Sequence, residues 1–576
     1  MKKLLLFIVC ICCKVALSQT FYFVDGATGN DANSGTSLAK AWKTIEKACD
    51  SAKPNSIVYI KAGTYHENLV VHVSGTLGNP IEFRSYANDS VFIDGNGTGG
   101  TTMLYMREKS YLTFRNLVVQ NLTVNNAQGI VVDSSSFVKT IAISFISMTV
   151  RHINWTASAS TIPSSTDNAQ GLIVYGGDSG LTNLVIDSCH VYSNILGFSE
   201  AVSIDGNING FSVTNCIVRN NTNIGILAAG NYGTSRIPAT DHARNGVIKF
   251  NTCYKDVSNY ATSGGIYVDG GWNVTIERNI SYQNGYGIEV GCEQSGSTDS
   301  IMVRDNLFYN NQAAGFAIGG YDSTTTGQVL NSTIRNNTFF QDDYSNSGTG
   351  EMYMTKASNC VIKNNIFYTN SQNTLITVDP INPQTNDKLS YDRWYTPVND
   401  STNVTVQWRT TSYTDFNSYR IGTGQEAGSQ YENPVLVNAV LPTPDLHLKS
   451  TSPCINAGDP STIAGSGETD YEGNTRVSGG KIDIGAYEYP AFVGIDEMSE
   501  TNEFTLYPNP ANDVILINNR GEKPSRICLL NELGQKMMVT NGEVIVLPVA
   551  ELQPGIYFVQ LQFADGKKET RSFIKK

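Results

Sequence analysis

Basic runs are missing from this chain, and charged residues of either sign make up only 16% of its 576 residues. With a formal net charge of −12 and no basic face, the composition argues against a nucleic-acid or anionic-membrane partner. No CxxC pair occurs. Three of the eleven cysteines lie within the first thirteen residues. The others, Cys49, Cys189, Cys216, Cys253, Cys292, Cys360, Cys454 and Cys528, are scattered singly. That spacing speaks against a zinc site or a disulfide framework and for small side chains buried in a core. Beyond the N-terminus, no stretch approaches the roughly 20 apolar residues that a membrane helix needs, so no membrane span is expected. Residues that favour helix are also thin. In their place stand 52 glycines with frequent Asn, Ser and Thr, a composition of short strands joined by many turns.

The start of the chain reads as a signal peptide over residues 1–18. Lys2 and Lys3 precede an apolar run from Leu4 to Cys13, and a small-residue Ala16-Leu17-Ser18 follows. Acylation of Cys10 or a neighbour is the alternative, although these cysteines sit inside the apolar run. From about residue 170 to 370 a phrase recurs every roughly 27 to 35 residues. Gly265-Ile266-Tyr267-Val268-Asp269 matches Gly287-Ile288-Glu289-Val290-Gly291 and Gly315-Phe316-Ala317-Ile318-Gly319. A second strand in each unit leads to Cys189, Asn251, Asn279, Asn306, Asn337 or Asn365. Units this short must bury their apolar faces against one another, and their period-two alternation excludes helical repeats. The prediction is a parallel β-helix with an Asn ladder in one turn, in an all-β, monomeric protein.

The segment 19–70, with its Asn/Gly turn and a helix at Trp42-Lys43-Thr44-Ile45, resembles the N-terminal cap of secreted pectate-lyase-like right-handed β-helix proteins. The β-helix is expected over 19–495, with an irregular closing part from about 370. There Asp459, Asp470, Glu472 and Asp483 make turns or, alternatively, hold calcium. The last 75 or so residues, with Tyr507-Pro508-Asn509-Pro510 and Gly555-Ile556-Tyr557, resemble the C-terminal sorting domain of the type IX secretion system. This resemblance implies a small β-sandwich over 502–576. It also implies export through the periplasm to the cell surface or medium, with the secretion machinery as a partner.

Alternation along the repeated strands turns Ile266, Val268, Ile288 and Val290 inward and Tyr267, Asp269 and Glu289 outward. Asp205 projects from the same face, with Tyr175, Glu200, Glu293 and Tyr321 nearby in register. Diagonal neighbours on adjacent strands allow two carboxylates to approach the roughly 5 to 5.5 Å of retaining glycosidases. A solvated acidic face is the bland reading, which like-charge crowding disfavours. An insertion, GNYGTSRIPATDHARNGV, adds Arg236, Asp241, His242 and Arg244 as a potential binding wall or as internal ion pairs.

The pair in GIYVDGG and GIEVG resembles the β-helix family of retaining β-xylosidases, which implies Asp269 as nucleophile and Glu289 as acid/base. Gly270 and Gly291-Cys292 depart from that family's pattern. The resemblance therefore implies a secreted glycoside hydrolase acting on plant or algal polysaccharide or oligosaccharide, without a cofactor or metal. The runner-up is a polysaccharide lyase, in which calcium held by Asp205, Asp269 and Glu289 neutralises a uronate and Arg244 or His242 is the base. A noncatalytic glycan-binding or adhesin solenoid is the third reading.

Overall fold

The computed structural model describes residues 18–134, 137–320, 327–380, 385–398, 400–490, 504–519, 523–531, 534–542, 546–564 and 568–576. The expected signal peptide, save its last residue, lies outside the described residues. The chain divides into a unit ending at Ala491 and a unit from Phe492 onward.

The first unit is a parallel β-helix. One column of stacked strands places Leu104, Ile130, Leu172, Val202, Ile226, Ile266, Ile288, Phe316, Met352 and Ile376 in register, each paired in parallel with the next. All of them are buried. Two further columns complete each coil. One runs through Ile186, Val213, Ile248, Ile276, Val303 and Ile334. The other carries the stacked rings of Phe308, Phe339, Phe367 and Trp394, with centroids 4.1 to 5.1 Å apart. Equivalent residues recur on neighbouring coils because each coil closes against the last, so an apolar residue in a slot is covered above and below.

The Asn slot forms the ladder its recurrence implied. Asn251, Asn279, Asn306 and Asn337 each donate Nδ2 to the Oδ1 of the next rung, at 2.9 to 3.0 Å, and Asn365 donates to Asp392. Each amide also donates to a backbone carbonyl of the preceding coil, as Asn279 does to Ile248 O. A second ladder, not foreseen, runs from Asn194 through Asn221 to Asp256, and another part of it from Asn311 to Asp342. Removing one rung leaves buried polar groups unpaired, at a cost of about 1–3 kcal/mol.

At the N-terminal end the strand Thr20–Val24 pairs with Ser56–Ile60. The cap helix is Ile45–Ser51, and Trp42 lies before it. Thr44 has extended backbone angles and accepts from Lys47 N, so the helix begins after Thr44. Trp42 instead stacks on Tyr22, 4.8 Å between centroids. Regular stacking continues past residue 370, as far as the pairing of Arg393–Tyr395 with Gln430–Tyr431. The following segment closes on turns. Asp470 Oδ1 accepts from the backbone of Glu472, Gly473 and Asn474. All eight cysteines beyond the first thirteen residues are buried and free.

The second unit is a pair of antiparallel sheets of three and four strands, with a core that includes Phe504, Ile515, Ile527, Leu547, Val559 and Phe573. No helix among the described residues is long and apolar enough to cross a membrane.

Candidate active site

On the outer face of the solenoid a cavity of about 790 Å³ crosses the first column of strands. Five carboxyl groups line it: Glu200, Asp205, Asp269, Glu289 and Glu293. The register explains why they meet. Tyr267 pairs with Glu289 and Asp269 with Gly291, so Glu289 and Asp269 stand diagonally on consecutive coils. Ser203 and Asp205 occupy the same outward positions two coils earlier, through Leu227 and Ala229. Tyr175 and Tyr267 line the cavity too. Tyr321 lies outside the described residues.

The insertion loop delivers different side chains from those its charges suggested. The Asp241 carboxylate accepts from Gly233 N at 2.7 Å and Ser235 N at 2.8 Å, folding the loop onto itself. That fold aims Tyr232 and Thr234 at the carboxylates. Tyr232 donates its hydroxyl to Asp269 Oδ2, with Glu293 Oε2 at 3.4 Å, and Thr234 donates to Asp205 at 2.7 Å. Gly270, at φ +81°, makes this approach feasible, because a Cβ there would lie 2.4 Å from Gly230 O.

The cations of the loop point elsewhere. Arg236 donates Nε to Asp178 at 2.7 Å, on the exposed outside. His242 is buried, with Nδ1 2.7 Å from Gly270 O and its ring stacked 3.6 Å from that of Trp272. Arg244 donates to the carbonyls of Thr240 and His242 and to Asn207, not to Asp241. None of the three lines the cavity. Their donors are consumed in holding the loop, which the sequence could not distinguish from a binding role.

The carboxyl groups differ in setting. Asp269 is buried and fixed twice: Oδ1 accepts Glu293 N at 2.7 Å and Oδ2 accepts the Tyr232 hydroxyl. Burial and then the Glu293 charge raise its pKa, while those two donors oppose the rise. Glu289 has no side-chain partner among the described residues, and burial followed by the charges of Glu293 and Asp269 holds its pKa well above the usual range. Burial, then Asp205, Glu293 and Asp269, pushes Glu200 up to about 8. Burial pushes Asp205 to about 6. All of these carboxyl groups are raised, Asp269 itself to about 7, so protonated and ionised carboxyls share the cavity near neutral pH, the setting of acid and base work. Sequence reasoning missed Tyr232, Phe198, Tyr260, Tyr286 and Tyr353, all in the lining. A tyrosine between glycines in the insertion was the available signal for Tyr232.

Among the described residues, the trio of potential metal ligands with atoms within 4.8 Å of one another is Glu46, Asp50 and His72 on the N-terminal cap. The cavity carboxylates are not drawn together in that way.

Comparison with known proteins places the chain. Residues 142–339 and 264–407 match the family model for a right-handed β-helix region, and residues 505–576 match that for a secretion system C-terminal sorting domain. The uncharacterized protein YwoF of Bacillus subtilis is 33% identical over 433 residues, 72% of this chain and 88% of that protein. A lacto-N-biosidase of Bifidobacterium longum is 29% identical over 133 residues, 18% of this chain and 8% of that protein. Among solved structures, pectate lyase Pel9A is similar at 16% identity with a TM-score of 0.41, covering 82% of this chain and 97% of that one. The sorting domain directs export by type IX secretion, to the cell surface or the medium. The chain therefore belongs to the family of right-handed parallel β-helix proteins that includes YwoF, and it carries a type IX sorting domain at its C-terminal end.

Proposed function

We propose that the protein is a secreted carbohydrate-active enzyme, and specifically a retaining glycoside hydrolase acting on uncharged plant or algal glycans. The observation that carries this reading is the cavity lining, which among the described residues has five carboxyl groups and no Lys, Arg or His. Both a lacto-N-biosidase and a pectate lyase of Emericella nidulans, 37% identical over 75 residues, are among the relatives, so the choice of reaction rests on the cavity. A uronate bound there would add its charge to a crowd of carboxyl groups, with no basic side chain among the lining residues to balance it or to remove its α-proton. A neutral sugar suffers neither penalty.

In this reading Asp269 attacks the anomeric carbon and the departing oxygen takes the proton of Glu289. Glu289 then removes a proton from water, which attacks the glycosyl ester and restores Asp269. The Tyr232 hydroxyl and Glu293 N orient Asp269 and favour its ionised form against the burial and the Glu293 charge that raise its pKa to about 7, while Glu289, which no side-chain donor among the described residues supports, keeps its proton. Glu293, which also faces Tyr232 and Tyr267, is the other carboxyl able to act as the second group.

The test is to screen neutral and uronate-containing polysaccharides for new reducing ends and for unsaturated product, then to trap the enzyme with a 2-fluoro glycoside of the active sugar. A glycosyl adduct mapped to Asp269 by mass spectrometry is expected. An unsaturated product whose formation a chelator abolishes and calcium restores would replace this reading with the lyase. Inversion at the anomeric carbon would displace Asp269 as nucleophile.

A further inference from the structure

The cavity is longer than one reacting sugar requires. Glu200 stands at the start of its strand and Asp205 five positions on, so the floor extends about 16 Å along the strand direction. Asp269 and Glu293 occupy the same end as Asp205. The opposite end is built differently, from Phe198, Tyr260 and Glu200.

Phe198 leaves 44% of its surface exposed, and its ring lies in the cavity lining rather than in the apolar core. Tyr260 meets it edge-on, 5.3 Å between centroids and 71° between planes. Both are anchored. Tyr260 donates its hydroxyl to Gly197 O at 2.6 Å, and the Gly197 turn is pressed against Asp167 so closely that a Cβ would overlap its carbonyl. Glu200, beside the rings, has no side-chain hydrogen-bond partner among the described residues, although it is flanked by donors already in use: Asn223 Nδ2 serves Ser199 O and the Ser263 hydroxyl serves Asn223.

Resting on the hydrolase reading, we propose that Phe198, Tyr260 and Glu200 form a second sugar subsite, which holds an uncharged, non-reacting ring of the same glycan while its neighbour is cleaved at the Asp269 end. The apolar face of the ring lies on the aromatic pair and a hydroxyl pairs with the Glu200 carboxyl. Because burial keeps that carboxyl protonated near neutral pH, it serves as both donor and acceptor. The substrate is accordingly an oligomer, and the enzyme reads at least two adjoining residues of it.

Binding is measured in the Asp269→Asn background, where turnover cannot confuse it, first on an array of neutral oligosaccharides and then by calorimetry with the tightest binder. Phe198→Ala should weaken that ligand about tenfold with an unchanged melting temperature. Glu200→Gln, which preserves donor and acceptor, should bind nearly as well as Glu, and Glu200→Ala should not. In the active enzyme, Phe198→Ala should raise KM for the oligosaccharide relative to its aryl monoglycoside more than it lowers kcat. Unaltered affinity in both Phe198→Ala and Glu200→Ala would overturn the subsite and leave the hydrolase reading standing. Absence of binding to every neutral glycan with Phe198 intact would overturn the hydrolase reading itself, and the subsite with it.

Discussion

Asp256, Asp342 and Asp392 stand inside the solenoid wall, whereas Asp205, Asp269 and Glu289 stand on its outer face under the 230–242 loop. Burial raises the pKa in both sets. The interior acids each replace an Asn in a ladder. Oδ1 accepts from the preceding rung, as Asp256 does from Asn221 at 2.8 Å, while Oδ2 has no hydrogen-bond partner among the described residues. At that position an Asn would offer its amide nitrogen to a carbonyl, so a protonated Oδ2 can do the same. The cavity acids have no such template. Asp269 is held by donors on both oxygens, whereas Glu289 has the Gly264 backbone and no side chain among the described residues to hold it. Raised pKa alone thus does not mark a functional site: the interior acids are closed in as rungs of a ladder, whereas the cavity acids line a space that a ligand can enter.

The largest expected effect breaks the comparison at Asp269, the proposed nucleophile. Asp269→Asn should lower kcat by about a thousandfold or more, with a melting temperature at least equal to that of the parent, since an amide cannot form the ester and a raised carboxyl gives up nothing in becoming neutral. Steady-state kinetics alongside calorimetry would check both halves. Glu289→Gln should cost about 10²- to 10⁴-fold on natural glycans but much less on substrates with good leaving groups, where azide should accelerate the second step. Equal losses on both substrate types would transfer the acid role to Glu293 or Glu200.

A smaller effect is expected of Asp256→Asn, and it lies in stability. The Asp256 pKa rises from 3.8 to about 7 on folding. A group that binds its proton more tightly when folded contributes stability that is fully present below the unfolded value and is lost as pH rises through about 7. Urea midpoints of the parent should therefore fall between about pH 5 and about pH 9 more than those of Asp256→Asn, with activity unaffected by the substitution. A parallel fall in both proteins would show that the ladder carboxyl is ionised in the folded state. Least of all should come from Arg236→Ala. Its pair with Asp178 is exposed, screened by solvent, and touches no cavity residue, so stability and activity should both hold.

Much of this was legible in the residues. Period-two alternation in GIYVDGG and GIEVG placed Ile266 and Val290 inside and Asp269 and Glu289 outside, because on a pleated strand the side of each residue follows from parity alone. The recurrent Asn revealed one ladder, since a polar residue repeated at a turn of a stacked coil has its own copy as neighbour. The second ladder escaped notice because two of its rungs are Asp256 and Asp342, whose acidity disguises the shared slot.

The sequence by itself determined the solenoid, its register and the outward carboxyls, for these depend on local alternation and on a repeat length that brings like onto like. Only the tertiary structure decided which residues of the insertion face the cavity. Asp241 turns the loop by capping two of its own amides, Arg236 is spent on Asp178 and His242 on Gly270, and what is left to reach Asp269 is the hydroxyl of Tyr232. A loop has no period from which to read direction. Its side chains go where the competition for hydrogen-bond partners sends them, and those partners lie as many as 58 residues away in the chain.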